Sequence, residues 1–104
     1  MIAVNSLYRH GDVLIARTAA LPTGSIPRVG LVLAHGEHTG HSHRIREIGA
    51  ASLYVYGKDL YLVVSAPAAT VVHEEHRPIE LPAGVYRVWQ QREYTPSAIR
   101  TVVD

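Results

Sequence analysis

Two histidine clusters stand out. Four histidines, His35, His38, His41 and His43, fall within nine residues, and His73-Glu74-Glu75-His76 follows about thirty residues later. If the first cluster leads into a strand, the two-residue period puts His41, His43, Ile45 and Glu47 on one face and Ser42, Arg44 and Arg46 on the other. An H-x-H pair on one strand face sets two imidazoles side by side. A neutral imidazole nitrogen is the commonest metal donor in proteins, so this is the start of a metal site. Two histidines three apart, His73 and His76, cannot both point inward from a regular strand. One would serve from the strand end, and the other would join only if the chain turns between them. Glu37, Glu47, Glu74 or Glu75 would add a carboxylate. The chain has no cysteine, so thiolate zinc sites, iron–sulfur clusters and disulfides are excluded. Imidazoles with or without a carboxylate suit a divalent transition metal: Zn, Fe(II), Mn or Ni. The expected ligands are His41, His43, His73 and His76 with one of those carboxylates, and Glu37 or Glu74 as proton carrier. His10, His35 and His38 are read as surface or hydrogen-bonded residues with no part in the site.

Short β-type runs position these groups. They cover 12–17, 29–34, 43–48, 53–56, 60–65, 70–73, 78–81 and 85–94. Proline and glycine signals separate them: a loop at 21–27, a tight turn at 57–59, and further turns at 66–69 and 82–84. The pair flanking Gly57-Lys58-Asp59 is the clearest hairpin. This spacing predicts an all-β single domain over 1–104, a small barrel or sandwich. Thr95-Pro96 has an N-cap residue before proline, which allows a short C-terminal helix over 95–100.

A chain of 104 residues holds one domain, and 47% hydrophobic content argues against disorder. A net charge of +1 creates no strong field for nucleic acid or a membrane surface. Met1 to Ser6 does not read as a signal peptide, and no apolar run approaches the ~20 residues that span a bilayer. The expected location is the cytoplasm. Gly36-x-x-x-Gly40 lacks the G-K-[ST] ending of a phosphate loop.

The stretch from Gly36 to Glu47 resembles the first motif of the cupin superfamily, with His41, His43 and Glu47 in its ligand positions. Its glycine spacing is one residue short. Pro82-Ala83-Gly84 resembles the P-x-G turn of the second motif, but Arg87 stands where that motif has its histidine. The resemblance implies a small β-barrel with an inward-facing metal, and His73 or His76 would have to replace the missing ligand. The chain also resembles a group of short bacterial proteins sharing G-E-x-T-G-H-x-H, H-E-E-H-x-P-I-x-L-P-x-G-x-Y and Q-R-E-Y. That likeness favours His41, His43, His73 and His76 over the other histidines and implies no activity.

The leading expectation is therefore a metal-binding barrel with a histidine-rich pocket for a small-molecule substrate, a hydrolase or oxygenase if it is an enzyme. A second reading is a metal-free RNA- or phosphodiester-processing protein, with paired histidines as acid and base and Arg44, Arg46 or Arg92 holding phosphate. A third is a non-catalytic subunit that docks on a larger protein partner. Trp89 and Tyr94 on the long last strand suggest a homodimer.

Overall fold

The two-residue hairpin is the unit from which this sheet is built, and glycine with positive φ makes it. The computed structural model describes residues 6–36, 40–94 and 99–101. β1 (Leu7–His10) returns as β2 (Val13–Thr18) through Gly11-Asp12, with Gly11 at φ 63°. β6 (Ala51–Tyr56) returns as β7 (Asp59–Val72) through Gly57-Lys58, with Gly57 at φ 62°. Glycine at the first central position is the type II′ arrangement, whose twist matches that of paired strands. The second hairpin is the one the sequence predicts. The first starts five residues before the first predicted run.

The other strands are β3 (Ile26–Arg28), β4 (Val32–His35), β5 (Ser42–Ile45) and β8 (Ile79–Gln90). All eight pair antiparallel in one sheet. Its path runs β1-β2-β8-β7-β5-β4, with β6 on the other half of the same β7 edge and β3 beyond it. The sheet curls into a half-barrel, as the all-β expectation requires. β9 (Arg92–Tyr94) and β10 (Ile99–Thr101) form a separate two-stranded pair. Ile99 and Arg100, expected in a helix, are thus in a strand; 95–98 lie outside the described residues.

Two predicted turns are not turns. The signals at 66–69 and 82–84 fall inside β7 and β8, which pair along most of their lengths. The register shifts between Val64 and Ala68. Before the shift β7 buries Leu62 and Val64, and after it Ala69 and Val71. β8 does the same, burying Leu81 and then Tyr86 and Val88. Both strands change which parity faces the core, as an irregularity in strand pairing does. Proline and glycine mark bulges as well as turns, and here they mark the bend. Buried Tyr86 reinforces it, donating from its hydroxyl to the Pro82 carbonyl at 2.6 Å. The 21–27 loop also ends sooner than expected, since Ile26 and Pro27 belong to β3.

The core comprises Val13, Ile15, Leu33, Ile45, Leu53, Leu62, Val64, Val71, Leu81, Tyr86 and Val88 with small alanines. β5 follows the predicted phase: His43 and Ile45 are buried, while Ser42 and Arg44 are half-exposed. Among the described residues no helix is long and apolar enough to cross a membrane.

Candidate metal centre

β1 and β5 are separated along the sheet path by β2, β8 and β7. The curl nevertheless brings the end of β1 against β5. His10 and His43, only 2% and 1% exposed, face each other with Nδ1 atoms 2.9 Å apart. β7 ends just before His73, and the chain bends through Glu74, Glu75 and His76. That bend is the condition under which both histidines of the second cluster reach one place, and both do. The His43 ring centroid is 4.4 Å from that of His73 and 5.6 Å from that of His76. Donor atoms of His43, His73 and His76 all lie within 4.8 Å of one another. A second group, His41, His73 and Glu74, meets the same test and shares His73.

The hydrogen bonds decide where the protons sit. The Arg77 carbonyl only accepts, and it lies 2.9 Å from His10 Nε2. His10 therefore carries hydrogen on Nε2, and in its neutral form its Nδ1 accepts. The facing His43 Nδ1 must then donate. That leaves a lone pair on His43 Nε2, which lies 3.5 Å from Asp12 Oδ1. Two acceptors confront each other, and Asp12 is itself only 9% exposed. A proton or a metal ion beside them would relieve that confrontation. Burial disfavours the proton: desolvation first, then the neighbouring His73, His10 and His76, pull His43 down to about 3.

The imidazoles fit an ion. Nitrogens bound at about 2.0–2.1 Å stand roughly 3.0–3.4 Å apart, so modest ring rotations would gather this set around one metal. The His10–His43 bond is the outer-shell contact that fixes a ligand's tautomer. His73 has a competing partner, since its Nδ1 accepts from the Glu75 N–H at 3.0 Å. A metal on that nitrogen replaces one backbone hydrogen bond. Gly11 lets the rings close in. A Cβ there would lie 2.8 Å from His43 Cε1 and 2.9 Å from His76 Nε2.

Residues 9–91 match the family model described as a domain of unknown function, DUF8820. The chain belongs to that family. The DUF8820 match spans every residue of the centre, from His10 to His76. No curated protein and no solved structure matches the chain.

Within this DUF8820 domain the predicted site residues have divided. His43, His73 and His76 come together, with His41 beside them, 3.7 Å from Glu75 through Nδ1. Glu47 does not join them. Its carboxylate accepts from the Thr70 amide at 2.8 Å and the Thr70 hydroxyl at 2.6 Å, and those bonds hold it at about 2. The strand ends at Ile45, so the alternation that was to carry Glu47 inward stops short of it. Glu74 braces the bend after β7 against β5. One oxygen accepts from the Ser42 amide and the other from Arg44, and bonds from its own amide and that of Ser42 lower its pKa. Arg44 pairs with Glu74, and Arg46 contacts Glu47 and Thr70. Glu37 and His38 lie outside the described residues. His35 is exposed on β4.

Sequence reasoning left out His10 and Asp12. The signal was present: His10-Gly11-Asp12-Val13 is a Gly-Asp pair between apolar runs, the pattern of a two-residue hairpin. Reading it as a hairpin would have put His10 and Asp12 at one end of the sheet.

Proposed function

We propose that this domain binds a divalent transition metal through His43, His73 and His76, with Asp12 beside the ion and His10 holding His43 in the metal-binding tautomer. The observation that carries the reading is that donor atoms of His43, His73 and His76 all lie within 4.8 Å of one another, with the buried Asp12 carboxylate 3.5 Å from His43 Nε2. Zinc, iron(II), manganese and nickel all accept such a set. When bound, the metal supplies a Lewis acid that lowers the pKa of water or polarises an oxygen of a small-molecule substrate. The chain's own part is to keep His43 neutral and to hold His73 and His76 in the bend that Glu74 ties to β5.

Elemental analysis of untagged protein tests it, after reconstitution with each metal and removal of the excess. The expected content is about one ion per chain in the wild type and almost none in His43→Ala/His76→Ala. Wild-type protein that retains no metal, in a folded state confirmed by circular dichroism, would sink the reading.

A further inference from the structure

A cavity of about 650 Å³ opens beside the centre, between the rim formed by β3 and the β6–β7 turn and the strand β4. That volume is in the range of small-molecule sites. Its wall includes Leu33, Leu60 and Val88, and Trp89 stands among them. Two cations, Arg28 and Lys58, lie exposed on its border. Arg28 donates to the Val32 carbonyl, which holds the guanidinium at the rim. The carboxylate in the same wall, Asp59, does not cancel them, because it is paired with Arg87 at 3.4 Å. The Arg87 guanidinium also lies 5.2 Å from the centre of the Trp89 ring, and Arg87 itself is not part of the wall. The indole is thus held from outside the cavity.

We infer that this cavity binds a small organic anion with a flat apolar body, its ring against Trp89 and its carboxylate at Arg28 and Lys58. A wall that combines apolar faces with placed charges can orient such a ligand, and a guanidinium fork matches a carboxylate. The inner end of the cavity reaches the centre. Gly36 lines it, and a Cβ on Gly36 would come within 2.8 Å of His73 Nε2. Gln90 lines it as well and donates to Asp12 Oδ2 at 3.0 Å, the carboxylate that faces His43. Binding stands on the cavity's own residues. Only the further step, that this anion is the substrate of the metal, rests on the function proposed above.

Trp89 is the chain's single tryptophan, so its fluorescence reports on this cavity alone. Full-length protein is titrated with benzoate and, separately, with its uncharged isostere benzamide, each with and without EDTA. Benzoate is expected to give a saturable change that survives the chelator, and benzamide a response weaker by about tenfold or more. Lys58→Gln, on an exposed turn, and Arg28→Gln/Lys58→Gln are both expected to weaken benzoate, the double variant more. Equal binding of benzamide, unchanged binding in both variants, or no saturable change with benzoate would each overturn the inference. Loss of the signal in EDTA alone would overturn the independence of the cavity from the metal.

Discussion

His10 is the residue whose role changed most between sequence and structure. Its Nε2 donates to the Arg77 carbonyl and its Nδ1 faces His43 Nδ1, so under the proposed function it would act on an ion only through His43. Removing such an outer-shell partner costs metal affinity by about 10–100-fold in other sites. His10→Ala is expected to weaken cobalt(II) binding by that order, followed by visible absorption, while His35→Ala leaves it unchanged. Equal affinity in both variants would return His10 to a purely packing role. Gly11 is the second sensitive position. Its φ of 63° disfavours any side chain, and a Cβ would press on two histidine rings. Gly11→Ala is expected to cost about 1–3 kcal/mol, read in thermal unfolding of the metal-free protein, and to reduce metal binding besides. A glycine elsewhere gives the control: a Cβ on Gly49 meets nothing within 4 Å. Gly49→Ala should strain the backbone there and leave the metal untouched.

Glu47 ties the turn after β5 to β7, and its chemistry is that of an element rather than of the centre. Thr70 holds the carboxylate at about 2 in the folded chain, against 4.5 for a free one. A depressed folded pKa stabilises above the unfolded value and loses that contribution as pH falls through the folded one. The stability gap between wild type and Glu47→Gln should therefore be complete above about pH 5 and shrink toward about pH 2. Thermal melts across that window decide it; a constant gap would mean that Glu47 titrates alike in the folded and the unfolded chain. The elements also show what the sequence could display. The β6–β7 hairpin and the phase of β5 were legible because each is local: a glycine turn between alternating runs, and a buried His43 and Ile45 two apart. β7 and β8 were each cut in two because Pro67, Pro82 and Gly84 carry the same signal for a bulge as for a turn. Only cross-strand pairing tells these apart. Glu47 was misplaced for a related reason, since a strand's alternation holds only as far as its hydrogen bonds do. The centre was half legible: the residues two or three apart in sequence could be grouped, whereas His10 joins through a curl that no local pattern encodes.

For the molecule as a whole, the centre draws on β1 near one end of the sheet path and on β5 near the other. An ion bound only by the folded chain adds stability by mass action. At a hundredfold excess over Kd this is about 2.7 kcal/mol, or roughly 10–20 °C in Tm for a domain of this size. Metal-loaded protein should melt higher by that order than protein in EDTA, and His43→Ala should melt alike in both. The same geometry also governs the order of events in folding. His10 meets His43 across 33 residues of chain and Arg77 across 67. Such distant contacts bear a large loop-closure cost before they contribute anything. The hairpins β1–β2 and β6–β7 can form early, and His43, His73 and His76 gather once β5 pairs with β7, but His10 and Asp12 join them only when the sheet has curled shut. A metal ion then meets its complete site, with Asp12 beside it, only in the finished fold. Stopped-flow refolding should gain little from metal, while unfolding slows by most of the binding energy. The ion would govern how long the closed molecule lasts far more than how fast it is made.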